Sequence, residues 1–234
     1  MGDFWTVFPK GNVFLVVIHV RTRPQVLRNA KIAYEQGADG VFLISHGMVL
    51  SPLLLQFYHA VRAFYPSWWI GLNFLDLDRM NALLKIPSDA SGLWVDNAGI
   101  DENAENPSQL AQVFWDERKK NASWQGLYFG GVAFKYQKKV EDVARVAQLA
   151  MPYVDVITTS GDATGVPPSV EKMWAIRNAI GDHPFAIASG ITPENVKDYL
   201  GIADCFLVAT GISFSFTELD PARVRNLAQT IHSS

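Results

Sequence analysis

Two apolar runs in the chain end in the same unusual way. "FAIASGITPENV" (185–196) and "ADCFLVATGIS" (203–213) each close on a hydroxyl residue followed by glycine, Ser189-Gly190 and Thr210-Gly211. Glycine has no Cβ, so another group can approach the backbone to hydrogen-bonding distance. Free main-chain N–H groups attract an anion, and Ser189 and Thr210 add hydroxyl donors. A phosphate group bound by Ser189, Gly190, Thr210 and Gly211 is therefore expected; tight turns alone would use the same residues.

Other runs also end on polar residues. The first ends at His19, the second at Ser45-His46-Gly47, the third at Asn73 and the fourth at Asp96-Asn97. Lys135 follows the fifth, and the sixth enters "TTSGDATG", which offers Thr158, Thr159, Ser160, Asp162 and Thr164. Burying a charge is costly unless it is paired. Several such residues converging on one mouth point to chemistry, although each alone also serves as a hydrogen bond from strand end to loop.

Asp96 suits a general base or a stabiliser of an oxocarbenium-like centre. Lys135 can pair with Asp96, hold a phosphate, or form a Schiff base if its pKa is depressed. His19 and His46 are acid–base candidates near neutral pH. These four form the candidate catalytic set. Asn73, Asn97 and the hydroxyl-rich loop form a candidate substrate-binding set, suited to sugar hydroxyls or a diphosphate. His59, His183 and His232 read as structural or exposed. Trp94, Phe74, Phe134 and Tyr136 stand near the same mouth and read mostly as packing. The sequence has no paired-cysteine spacing, HExxH, P-loop or GxGxxG. No cofactor is called for; Asp96 with Asp162 is the pair that suits Mg²⁺ beside a diphosphate.

Eight apolar runs must position these residues: 13–20, 39–45, 68–74, 92–97, 126–134, 154–160, 185–189 and 204–210. They are nearly continuous rather than alternating, as in parallel strands covered on both faces. Helix patterns separate them, from "RPQVLRNAKIAYEQG" with its closing glycine to "DPARVRNLAQTIHS" with proline at its start. "TPENVKDYL" reads as a short helix after the seventh run. Eight such units without a linker favour a (β/α)8 TIM barrel over a doubly wound sheet, with residues 1–234 as one domain. Active sites of such barrels lie at the C-terminal strand ends, and phosphate often sits between the loops after strands 7 and 8, facing a short extra helix. "ISFSFTELD" is expected to supply that helix.

The chain has 234 residues, 49% of them hydrophobic, and a net charge of −3. That permits a large core and argues against a nucleic-acid partner, which needs a basic surface. The "RKK" at Arg118 and the "KYQKK" from Lys135 read as solvated helix surface. Cys205 stands alone in an apolar run, a small hydrophobe in a reducing compartment. No apolar run is long enough to cross a membrane, and the first residues lack a signal-peptide pattern, so the expected location is cytoplasmic. Gly2 and Thr6 match a loose myristoylation pattern that no basic patch supports. Trp68-Trp69 read as core; if exposed, they leave room for a homo-oligomer.

The stretch "VDVITTSGDATGVPPSVEKMWAIRNAI", with "FAIASGITPENV", "ADCFLVATGIS" and "DPARV", resembles the C-terminal half of the BtpA family, and "VVIHV", "GADGVFLIS" and "IGLNFL" resemble its opening strands. The resemblance implies a phosphate-binding TIM barrel like the ribulose-phosphate-binding barrels. The chain departs from the family's pattern at "ISHG", at "WVDNAGID" and at "FKYQ", where Lys135 matches and Tyr136 does not. The resemblance carries over the phosphate site more than the reacting end. The family includes a factor linked to photosystem I accumulation and members found among sugar-metabolism genes. The leading expectation is an enzyme acting on a phosphorylated, phosphoribosyl or nucleotide-like small molecule by N-glycosidic cleavage or phosphoribosyl transfer. The alternatives are a sugar-phosphate isomerase or lyase using Lys135, or a non-catalytic phosphometabolite-binding or assembly factor.

Overall fold

The computed structural model describes residues 3–121 and 123–233, so Gly2 of the acylation pattern lies outside the described residues. Eight strands carry the expected runs: β1 (Val13–His19), β2 (Gly40–Ile44), β3 (Trp69–Asn73), β4 (Gly92–Val95), β5 (Leu127–Gly131), β6 (Val156–Thr159), β7 (Phe185–Ala188) and β8 (Cys205–Val208). They pair in chain order, all parallel, and β8 closes on β1. The fold is the (β/α)8 TIM barrel.

Strand periodicity explains both layers of core. Val13, Leu15 and Val17 of β1 point into the barrel with Phe42, Ile44, Trp69, Trp94, Leu127 and Phe129. Phe14, Val16 and Ile18 alternate with them and pack against the helices. The interior is lopsided. β2 to β5 contribute large aromatic rings, whereas β6 to β8 contribute Val156, Ala186, Ala188, Cys205 and Leu207. At the C-terminal end, small Ala188 leaves space unfilled.

The helices are α1 (Phe4–Val7), α2 (Arg23–Glu35), α3 (Ser51–Phe64), α4 (Arg79–Lys85), α5 (Gln109–Lys120), α6 (Val143–Ala150), α7 (Val170–Ile180) and α8 (Pro221–His232). Asp78, Asp142, Ser169 and Asp220 cap α4, α6, α7 and α8 through side-chain oxygens that accept first-turn amides. α1 precedes the first strand. Its Phe4, with Phe8, plugs the N-terminal end of the barrel. None of the helices among the described residues is long and apolar enough to cross a membrane.

Three expectations are corrected. "TPENVKDYL" forms only a 3-10 turn, Val196–Asp198. Asn195 accepts from the Thr192 amide at 2.8 Å and donates to the Gly190 carbonyl at 2.9 Å, so local side-chain bonds replace the helix. The segment after Gly211 is not a helix. A 3-10 turn, Thr210–Ile212, leads into a hairpin of β9 (Ser213–Ser215) and β10 (Glu218–Leu219). "Ser-Phe-Ser-Phe" alternates with period two, which is a strand pattern. Arg118 is not solvated: it is buried, and its Nη2 donates to Asp155 Oδ2 at 2.5 Å and to the Gly126 carbonyl at 2.8 Å. Likewise Lys135 lies in a loop and is partly buried. Trp68, Trp69 and Cys205 are buried, as expected.

Candidate functional site

A cavity of about 250 Å³ opens at the C-terminal mouth. Val17, Ile44, Trp94, Ala188 and Leu207 form its apolar floor. Its walls include His19, His46, Asp96, Lys135, Thr164, Ser189, Gly190 and Thr210. The structure thus gathers all four candidate catalytic residues and most of the expected phosphate residues around one space.

Asp96 follows Trp94 by two residues, so the strand pleat aims both toward the axis. Asn73 Nδ2 donates to Asp96 Oδ1 at 3.1 Å, and the Gln137 side-chain amide donates to the Asp96 carbonyl. Burial raises the Asp96 pKa, opposed by the Asn73 bond and the charge of Lys135. Lys135 sits in a tightly wound loop where Ala133 and Tyr136 both have positive φ. Its main-chain amide donates to Ser160 Oγ at 2.8 Å. Burial lowers the Lys135 pKa, and the Asp96 charge pulls it back up. Each charge thus favours the charged form of the other, against the burial of both.

The His19 ring stacks on Phe216, with centroids 4.0 Å apart, and meets His46 edge-on at 5.8 Å. Burial, then the neighbouring His46 and Lys135, lower its pKa to about 4. At neutral pH it is an uncharged ring. Phe216 comes from the β9–β10 connection, which α2 holds in place: Gln25 and Asn29 both donate to the Thr217 carbonyl, at 2.9 and 2.7 Å.

The opposite wall explains the glycines. A Cβ on Gly190 would collide with the backbone of Val166 and Pro167, and one on Gly211 with the Ile191 carbonyl. The groups that approach these glycines are therefore the protein's own loops. This stacking leaves the amides of Gly190, Ile191, Thr210 and Gly211 without a hydrogen-bonded acceptor among the described residues. Ser189 is held at φ 134°, outside the usual range for a side chain. Its hydroxyl donates to the Ala163 carbonyl at 3.0 Å and accepts from the Gly165 amide at 3.2 Å. Ser189 thus ties the β6 and β7 loops together, and Thr210 is the hydroxyl left exposed.

Other expected residues lie elsewhere. Thr159 donates to the Val132 carbonyl at 2.9 Å, and Ser160 Oγ donates to the Gly161 carbonyl at 2.9 Å. Asn97 Oδ1 accepts from the Gly99 amide at 2.7 Å. These are loop-shaping bonds. Thr158 is fully buried, with its hydroxyl unpartnered. Asn73 reaches the site through Asp96. Gly211 stands behind the cavity wall, its carbonyl accepting from Arg223 Nε at 2.8 Å. Asp162 is exposed and does not line the cavity, so the pair considered for Mg²⁺ is not assembled there. No cluster of three or more metal-ligating side chains occurs among the described residues.

Residues 132–233 match the model of the BtpA family. That stretch is similar to the BtpA family. No curated protein sequence matches the chain. Solved structures match its fold over nearly the whole length. The (S)-3-O-geranylgeranylglyceryl phosphate synthase of Thermoplasma acidophilum, in complex with sn-glycerol-1-phosphate, is 13% identical, with 100% of both chains covered and a TM-score of 0.68. Phosphoribosyl anthranilate isomerase from Thermotoga maritima is 12% identical over 95% of this chain and 99% of that one, with a TM-score of 0.67. The Thermus thermophilus isomerase is 14% identical over 94% and 98%, with a TM-score of 0.60. At such identities the likeness is one of fold.

The matched segment contains Lys135 and the whole wall of free amides. His19, His46, Asn73 and Asp96 lie outside it. Two residues inside it went unnoticed in the sequence. Phe216 was hidden in a segment misread as helix. Lys172, on α7, donates from Nζ to the carbonyls of Ala133 and Ser160 at 2.6 and 2.7 Å. Burial lowers its pKa to about 8. It fastens the loops after β5 and β6, and nothing in its local sequence separates it from an exposed helix lysine.

Proposed function

We propose that the protein is an enzyme acting on a phosphorylated small molecule in the C-terminal cavity. The phosphate lies against the amides of Gly190, Ile191 and Thr210 with the Thr210 hydroxyl, and the reacting end lies between Asp96 and Lys135. One observation carries this reading: a single cavity has unpartnered amides on one side and the partly buried Asp96 carboxyl and Lys135 amine on the other. Oriented N–H groups favour an anion, and groups with shifted pKa in a cleft favour proton or charge chemistry. The synthase whose fold is similar holds a phosphorylated substrate, sn-glycerol-1-phosphate, which supports the substrate class.

The finer reading is a phosphoribosyl or nucleotide-like substrate, with ionised Asp96 stabilising an oxocarbenium-like centre during N-glycosidic cleavage or phosphoribosyl transfer. A second reading, isomerisation or lyase chemistry, is favoured by the directions of the two shifts. Burial draws the pKa of the Asp96 carboxyl up and that of the Lys135 amine down, the directions that suit an acid–base pair or an amine that attacks a carbonyl.

Thermal denaturation with inorganic phosphate, ribose 5-phosphate and phosphoribosyl diphosphate tests the substrate class. A hundredfold excess over Kd stabilises by about 2.7 kcal/mol. Thr210→Glu places a negative charge on an exposed position beside the amides and should abolish the shift. Absence of a shift with every phosphate compound refutes the reading. Asp96→Asn should retain binding and lose turnover; a protein that binds but never turns over any of these compounds is the non-catalytic alternative. Borohydride trapping at Lys135 separates the lyase reading from the others.

A further inference from the structure

The cavity has a neighbour. A groove of about 440 Å³ runs beside it, between the loops after β3 and β4 and helices α4 and α5. Leu75, Trp94 and Asp96 line both spaces, so they form a shared ridge. Asn73, which holds Asp96 Oδ1, lines the groove and not the cavity. The carboxyl is thus gripped from one side and open to the other. Trp94 is buried, and its indole N–H has no partner. A buried donor left unsatisfied in a site wall awaits an acceptor from a ligand.

Apolar side chains dominate the groove, with Asp78, Arg79 and Asn97 at its edge. Leu77, Met80, Leu110 and Val113 form its sides. α5 docks on the barrel through Ala111, Phe114 and Arg118. Leu110 and Val113 are a second apolar stripe one turn long, 60% and 48% exposed, that the core does not use. A surface helix ordinarily presents polar residues on that side.

We infer that this groove is the subsite for an apolar group of the substrate, so that the ligand is bipartite. Its phosphate lies on the amides after β7 and β8, its aliphatic or aromatic body lies against Leu110 and Val113, and Asp96 stands at the joint between them. The inference rests on the phosphate reading above. It narrows the substrate to phosphorylated molecules with a hydrophobic moiety.

The test uses the full chain with isotope-labelled amides and Leu and Val methyls, titrated with inorganic phosphate and with octyl phosphate. Octyl phosphate should shift the Leu110 and Val113 methyls and the Gly190 and Thr210 amides along one binding curve. Its Kd should be at least about tenfold below that of inorganic phosphate, given the apolar surface it buries. Val113→Arg should raise the octyl phosphate Kd to that of inorganic phosphate. Amide shifts without methyl shifts overturn the groove inference and keep the phosphate reading. Methyl shifts without amide shifts make the groove a separate apolar site and overturn both, as does a titration without shifts. Self-association in sedimentation that Val113→Arg abolishes makes the groove a contact between copies and overturns the inference.

Discussion

Asp96 and His19 face one cavity with opposite responses to pH. Burial raises the Asp96 pKa above its ordinary 3.8. The folded chain then binds a proton that the unfolded chain releases, so stability present at low pH is lost as pH rises through the raised value. Asp96→Asn retains an oxygen for Asn73 and has no charge to bury. Its Tm should exceed that of the wild type at pH 7, and the difference should close as pH falls below 4, in melts recorded from pH 3.5 to 8. A site residue whose removal stabilises the fold is held for function. The His19 pKa is depressed from 6.5 to about 4. Here the unfolded chain binds the proton first, so stability present above pH 6.5 is lost as pH falls through 4, by about 3 kcal/mol. His19→Gln should flatten that acid limb, read as the difference between urea midpoints at pH 7 and pH 4.

The loops show where local patterns stop informing. Ser189-Gly190 and Thr210-Gly211 follow the ends of β7 and β8, a placement visible in one dimension because a hydroxyl and a glycine close each apolar run. What approaches them is not, since Pro167 and Ile191 reach these glycines only once the barrel closes. Gly190→Ala combines a left-handed φ of 70° with a backbone collision and should cost about 3 kcal/mol or more. Gly201→Ala meets a similar φ of 78° in open space and should cost about 1 to 2 kcal/mol. Urea unfolding compares the two; equal costs would mean that loop stacking is not what demands glycine. The same limit hid the hairpin. The barrel pattern leads one to expect a helix at "ISFSFTEL", although its own alternation indicates strands. The eight strands were legible because both their faces are buried, which leaves a run of apolar residues long enough to stand out.

At the scale of the whole molecule, the two ends of the barrel do different work. The C-terminal end is hollow and rimmed with exposed apolar side chains, Met48 at 98% and Phe214 at 72% among them. The N-terminal end is stoppered by α1. Phe4 is 1% exposed and contacts Trp5 edge-on at 5.0 Å, while Phe8 reaches Trp69 at 5.9 Å. Trp69 in turn meets Phe42 and Phe129, and Phe42 meets Trp94 in the cavity floor. A continuous stack of rings thus joins the stopper to the site. Phe4→Ala opens a void at the base of that stack and should destabilise by about 3 to 4 kcal/mol. Close-packed interiors give way as units rather than bending gradually, so below its lowered Tm the variant should keep the wild-type affinity for inorganic phosphate. Calorimetry at 15 °C beside a thermal melt checks both halves. A parallel loss of affinity and stability would show that the stack transmits strain, and that the stopper shapes the cavity floor as well as closing the barrel.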